Sequence, residues 1–182
     1  YEGVIDFIKQ VCDDGNRVII VSYKTAVSNY DGKTDLVTPA VKWLKDNGIM
    51  GENGLLSRQS VFFLNSREAK LQKINELNCD IFIDDLFELL TDNNFPKNTT
   101  PICFDPTKNG INQTGLFTIS NWTNILATYR LLTLFSKRPV IELCKLIDST
   151  PTGFTRIDSG GNHTAFIIDF QNSEKIFIKQ ST

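Results

Sequence analysis

Short apolar runs alternate with helical patterns along the first two thirds of the chain, and this alternation constrains the fold most. The runs Val18–Val21, Val61–Leu64, Cys79–Ile83 and Ile102–Phe104 are rich in β-branched and aromatic residues and are bounded by turn residues. Strands separated by helices of about 10–15 residues need crossover connections, which place the strands parallel in one sheet. The sequence therefore predicts an α/β fold with a Rossmann-like, mostly parallel sheet.

Three helices are predicted between these strands. Apolar residues recur at helical spacing from Val4 to Val11, and the segment 13–16 ends that helix. A second helix begins at Thr38-Pro39 and ends at Asn47-Gly48. Ser66 is the expected N-cap of a third helix.

The pattern changes near residue 122. Two helices are predicted over 122–135 and 139–147, followed by three β segments over 153–157, 164–170 and 175–179. We therefore predict an α/β domain over 1–120, a helical linker over 121–150 and a short antiparallel β segment over 151–182.

Composition excludes several classes of function. The formal net charge of -2 provides no basic surface for nucleic acid or for an anionic membrane. No apolar run approaches the roughly 20 residues of a membrane span, and no leader opens the chain. The four cysteines are scattered without C-x-x-C spacing, which favours free thiols in a reducing compartment. A cytoplasmic protein is the expectation.

Polar residues at the strand ends are the candidates for chemistry. Ser22 follows the first strand, Asp84 and Asp85 follow the third, and Lys70 lies on the helix between the second and third strands. Ligands of open α/β sheets bind beyond the carboxyl ends of the strands. A carboxylate at Asp84 can hold Mg2+, Ser22 can bind phosphate oxygens, and Lys70 can neutralise their charge. This set predicts phosphoryl chemistry, with side-chain ends within roughly 10 Å of a common point.

These residues resemble motifs II, III and IV of the haloacid-dehalogenase-like (HAD-like) hydrolases, over roughly residues 1–120. The resemblance implies that Ser22 contacts the phosphoryl group, that Lys70 stabilises nucleophile and phosphate, and that Asp84 with Asp85 supports Mg2+. Lys73, one turn on, is the other candidate for the lysine role. Each residue also has an ordinary structural interpretation when it is taken alone. Ser22 can be a turn residue, each lysine can be a solvated surface charge, and the Asp-Asp pair can cap the following helix.

One part of the family pattern is missing. The D-x-D-x-T/V signature that carries the nucleophile and the general acid does not occur before Ser22. The chain begins with Tyr1 in mid-pattern, so we expect the nucleophile strand to precede it in a longer parent protein. Residues 1–182 alone should then be inactive, and poorly soluble or marginally stable.

The C-terminal β segments carry a second resemblance. The turn with Gly160 and Gly161, followed by a strand that contains Lys179, looks like the start of an aminoglycoside-phosphotransferase-like (kinase-like) N-lobe. That resemblance implies ATP as a cofactor of the parent protein. An ordinary hairpin with Gly in its turn and Lys on its edge is the equal alternative. His163, the only histidine, cannot build a metal site alone.

Two functions remain open from sequence. The first is Mg2+-dependent hydrolysis or transfer of phosphate on a small phosphorylated metabolite, by a parent protein fused to a kinase-like domain. The second is a non-catalytic HAD-like binding or regulatory module attached to a small-molecule kinase. An Asp-x-Asp signature upstream of Tyr1 would favour the first function.

Overall fold

The computed structural model has a mixed α/β fold. It describes residues 1–28, 30–107, 110–111, 115–135, 140–144, 149, 151–158 and 163–181. The helices are α1 (Val4–Asp13), α2 (Val37–Asp46), α3 (Arg67–Glu76), α4 (Phe87–Leu90) and α5 (Trp122–Leu134), with a 3-10 turn at Arg58–Ser60. The strands are β1 (Ile20–Tyr23), β2 (Val61–Leu64), β3 (Ile81–Asp84), β4 (Thr100–Phe104), β5 (Gly110–Ile111), β6 (Phe117–Ile119), β7 (Pro151–Asp158), β8 (His163–Phe170) and β9 (Lys175–Ser181).

The chain folds into two compact units. The β1 unit contains Val4–Asp80 and Thr91–Thr99. The β3 unit contains Tyr1–Gly3, Ile81–Leu90 and Thr100–Thr182. The predicted boundaries near 120 and 150 stay a prediction.

The β1 unit contains a two-stranded parallel sheet. Strands β1 and β2 pair in register from Ile20 with Val61 to Tyr23 with Leu64. Helix α3 packs against both strands, and Ile74 of that helix is fully buried. This helix connects β2 to the next strand, as the alternating pattern requires.

The β3 unit contains a four-stranded sheet in the order β3-β4-β6-β5. Strands β3, β4 and β6 are parallel, and β5 pairs antiparallel with β6. Ile102 and Phe117 from neighbouring strands are fully buried and form part of the core. The predicted α/β class with parallel pairing is confirmed. The prediction of one sheet is wrong for the described strands, which form two parallel-paired sheets, and the sequence did not predict β5 or β6.

The C-terminal residues form a separate three-stranded antiparallel sheet in the order β7-β8-β9. This confirms the predicted antiparallel segment. Phe166, Ile168 and Phe170 lie on one face of β8 and are buried, and α5 packs against β7 within the same unit. The turn after β8 places Ser173 in the left-handed region at a φ of 69°.

Local caps explain the helix boundaries. Ser66 is the N-cap of α3, and its side chain accepts a hydrogen bond from the Ala69 N–H at 3.0 Å, as predicted. Helix α2 begins at Val37 rather than at Thr38, because the Asp35 carboxylate accepts hydrogen bonds from the Val37 and Thr38 N–H groups. Among the described helices, none is both long enough and apolar enough to cross a membrane.

Candidate functional site

Ser22 is the penultimate residue of β1, so it lies within the strand and does not follow it as the sequence predicted. Its Cα pairs with Phe63 of β2, and its side chain is half-buried. The ladder extends past the strand, because the Lys24 N–H donates to the Leu64 carbonyl at 2.7 Å. The hydroxyl therefore stands on an ordered strand end, where open α/β sheets bind their ligands.

Lys70 is a buried residue of α3, the helix that packs against β1 and β2. Its residue exposure is 6%, an unusual degree of burial for a lysine. Its backbone N–H donates to the Ser66 carbonyl at 3.2 Å, which places it in the first turns of the helix. Ser22 and Lys70 thus belong to the same compact unit, on elements that pack together.

Lys73 has a different environment from Lys70. Its ammonium pairs with the Glu76 carboxylate at 2.5 Å and lies 5.2 Å from the centroid of the Phe62 ring. The hydrogen bond from Lys73 lowers the pKa of Glu76, and so does its positive charge. The charge of Lys73 therefore already has a carboxylate partner.

Asp84 ends β3 and Asp85 follows it. Asp84 pairs with Cys103 of β4, and its Oδ1 accepts a hydrogen bond from the Leu86 N–H at 3.0 Å. Asp84 is half-buried, whereas Asp85 is exposed. The sequence offered a helix-cap role for the Asp-Asp pair. Asp84 fills part of that role, because its carboxylate accepts a hydrogen bond from the turn that leads into α4.

The donor chemistry at the end of β3 fits Mg2+. Magnesium prefers oxygen ligands and commonly takes one or two carboxylates, completing its shell with water and substrate phosphate. Asp84 and Asp85 supply two such carboxylates. Among the described residues, no group of three or more His, Cys, Asp or Glu side chains is placed to hold a metal ion.

Asp105 is an acidic residue at the same sheet edge that the sequence did not predict. It directly follows β4, which is parallel to β3, so it lies at the edge where β3 ends in Asp84. Its Oδ1 accepts hydrogen bonds from the Thr107 N–H at 2.8 Å and hydroxyl at 2.6 Å. Its sequence signal is the same as that of Asp84: a carboxylate immediately after an apolar strand.

The predicted site residues are divided between the two units. Ser22 and Lys70 lie in the β1 unit, and Asp84 and Asp85 lie in the β3 unit. Their predicted convergence at one point stays a prediction.

The C-terminal candidates are only partly described. Gly160 and Gly161 lie outside the described residues. Lys179 pairs with Ala165 in the β8–β9 ladder, and its side chain is not among those described. The predicted ATP-binding role therefore stays a prediction.

The comparisons with known proteins identify no relative: no family model, no curated protein and no solved structure matches this chain.

Proposed function

We propose that the chain is part of a HAD-like protein that performs Mg2+-dependent hydrolysis or transfer of phosphate on a small phosphorylated metabolite. Ser22 and Lys70 bind the phosphoryl group, and Asp84 with Asp85 holds Mg2+. Magnesium would neutralise charge on the phosphate. The observation that carries this proposal is the placement of a hydroxyl and a carboxylate at the carboxyl ends of two parallel-paired strands, with a buried lysine on the helix between β2 and β3.

The pairing of the strands also supports this proposal. Among the described strands, β1 pairs only with β2, and β3 pairs only with β4. Apolar strands such as Ile20–Tyr23 and Ile81–Asp84 are typical of positions inside a sheet, with a neighbour on both sides. Each of the two strands therefore has an edge without a described neighbour, where a further strand would pair.

Metal binding at Asp84 is the first experiment. Adding Mn2+, a paramagnetic substitute for Mg2+, should broaden the backbone NMR signals of Asp84 and Asp85, and excess Mg2+ should restore them. Asp84→Asn should abolish the effect while keeping an oxygen to accept from the Leu86 N–H. Asp80→Asn, at the amino end of the same strand, is the matched control and should leave it intact. Broadening that survives Asp84→Asn would contradict the metal role.

A non-catalytic binding module is the second candidate function. It would hold if no Asp-x-Asp signature precedes Tyr1 in the parent protein. The discriminating experiment measures hydrolysis of an aryl phosphate by residues 1–182 and by the same chain with its natural upstream segment. Activity that appears only in the longer protein favours the enzyme, and binding without activity in both favours the module.

The C-terminal sheet supports the proposal of a kinase-like lobe. Three antiparallel strands, β7 to β9, occupy the segment where that resemblance expects them. In this proposal Lys179 pairs with the phosphates of ATP and the turn with Gly160 and Gly161 approaches them. Lys179→Met should then weaken ATP binding, measured by calorimetry, whereas Lys175→Met, at the start of the same strand, should leave it unchanged. Equal binding by both variants would contradict this role.

A further inference from the structure

Asn-Gly pairs occur three times in the chain, at 47–48, 53–54 and 109–110. Asparagine followed by glycine is especially prone to deamidation, because glycine has no side chain to shield its backbone nitrogen. Residue 109 lies outside the described residues. Asn47 and Asn53 both belong to the β1 unit, so their surroundings can be compared directly.

Hydrogen bonds hold both reacting groups of the Asn47-Gly48 pair. Asn47 is the C-cap of α2, and its Nδ2 donates to the Trp43 carbonyl at 2.8 Å. The Gly48 N–H donates to the Lys45 carbonyl at 3.0 Å. Asn47 is also half-buried. The end of the helix therefore restrains the side-chain amide and the glycine nitrogen that would have to meet.

The Asn53-Gly54 pair is held by fewer contacts. The side chain of Asn53 is exposed and, within the part of the chain that the structure describes, makes no hydrogen bond. The Gly54 N–H donates to the Gly51 carbonyl at 3.2 Å, which closes a turn. This turn bond restrains the glycine nitrogen, whereas the side-chain amide of Asn53 can rotate towards it.

We propose that Asn53 is a site of spontaneous deamidation and that it reacts before Asn47. The Gly54 backbone nitrogen gives its proton to solvent base and attacks Cγ of Asn53. The new N–Cγ bond replaces the Cγ–Nδ2 bond, and the Nδ2 group takes a proton from solvent and leaves as ammonia. Water then opens the cyclic imide at either of its carbonyls, which leaves aspartate or isoaspartate at position 53. Both products place a new negative charge beside Glu52, which is exposed.

The isoaspartate product should open the turn from Gly51 to Gly54. It routes the main chain through the side-chain methylene and so lengthens the backbone between residues 53 and 54. The turn has little room for an added carbon, since a Cβ on Gly54 would lie 2.7 Å from the Gly51 nitrogen. The turn also connects the bridged residues Met50 and Leu56, which are both buried. Isoaspartate should therefore loosen this part of the core, whereas aspartate on a normal backbone should keep the turn.

The test follows deamidation of residues 1–182 during incubation at mildly alkaline pH, by mass spectrometry after cleavage at Glu52, which separates the two sites. The peptide with Asn53 should show the mass increase of an amide-to-acid conversion about fivefold faster than the peptide with Asn47, the effect of one net hydrogen bond fewer. Asn53→Gln should remove the fast reaction, and the matched control Asn47→Gln should leave it unchanged. Equal rates in the folded chain, or a faster reaction at Asn47, would overturn the proposal.

Two further measurements separate the role of the fold from that of the sequence. In urea the hydrogen bonds around both pairs are lost, so the two sites should react at similar rates. A fivefold difference that persists in urea would show that flanking residues set the order, and it would refute the structural argument. The isoaspartate form, isolated by ion exchange, should have a lower Tm than Asn53→Asp, which carries the same charge on a normal backbone. Equal Tm values would contradict the opening of the turn.

Discussion

Replacing Thr128 by valine should stabilise the protein. Thr128 lies in α5 with 0% exposure, and its Oγ1 has no hydrogen-bond partner among the described residues. A buried polar group without a partner costs about 1–3 kcal/mol of free energy of unfolding. Valine has nearly the same shape and a similar helix propensity, so the change removes the hydroxyl without opening a cavity.

We expect Thr128→Val to raise the free energy of unfolding by about 1–2 kcal/mol. For a chain of this size that corresponds to a rise in Tm of about 3–6 °C. Thermal unfolding followed by circular dichroism measures the change. Thr133→Val is the matched control on the same helix, because Thr133 is exposed and its hydroxyl donates to the Arg130 carbonyl; it should change stability by less than about 0.5 kcal/mol.

A third variant tests packing at the same position. Thr128→Ala removes the hydroxyl and also a methyl group, so the cavity term should offset the gain and leave it less stable than Thr128→Val. A drop in Tm for Thr128→Val with an unchanged Thr133→Val would refute the reasoning. It would mean that the Thr128 hydroxyl has a partner that stabilises the native state.

Three further predictions concern single side chains. Hydrogen bonds, chiefly from the Thr34 hydroxyl and next from backbone N–H groups, lower the pKa of Asp31 to about 2. The stability that these hydrogen bonds contribute should therefore be fully present above about pH 3.8 and be lost as the pH falls through 2. An NMR titration midpoint of Asp31 near 3.8 would contradict this prediction. Burial raises the pKa of the Cys144 thiol to about 12, so native Cys144 should react with iodoacetamide at pH 8 more slowly than the half-buried thiols, and labelling of Cys144 first would contradict this order. Gly153→Ala should destabilise the β7–β8 pair by about 1–3 kcal/mol in urea unfolding, because an added Cβ would meet the Asp169 Oδ2 at 2.8 Å, and an unchanged midpoint would show that Asp169 moves freely.

Local signals in the sequence predicted the elements whose causes are local. Ser66 followed by a helical pattern predicted the start of α3, and the cap is present. The start of α2 was placed one residue late, because the sequence pattern pointed to Thr38-Pro39 whereas Asp35 holds the first turn. An Asp two residues before a helix was a readable signal that the Thr-Pro pattern obscured.

Strand bounds depend on partners that are distant in sequence, and there the predictions were less accurate. The apolar run predicted a strand at 18–21, but pairing with Val61–Leu64 selects Ile20–Tyr23. The short strand Phe117–Ile119 was missed because three residues carry little pattern of their own. The position of this strand is set by its pairing with β4, and no residue pattern near 117–119 predicts that pairing.

The candidate site was predicted at the level of strand ends only. Asp84 ends β3, whereas Ser22 lies inside β1, one residue before that strand ends at Tyr23. Asp105 was missed although it has the same sequence signal as Asp84, since it directly follows the predicted apolar strand Ile102–Phe104.

The proposed function requires a Mg2+-dependent phosphate site, with Ser22 and Lys70 proposed to bind phosphate and Asp84 with Asp85 proposed to hold Mg2+. The most direct measurement is the affinity of residues 1–182 for phenyl phosphate with and without saturating Mg2+, in the wild type, in Asp84→Asn and in the control Asp80→Asn. We expect Mg2+ to tighten binding of phenyl phosphate about tenfold or more in the wild type and the control, a coupling of about 1.4 kcal/mol, and to have no effect in Asp84→Asn. Binding that ignores Mg2+, or a Mg2+ effect that survives Asp84→Asn, would contradict it.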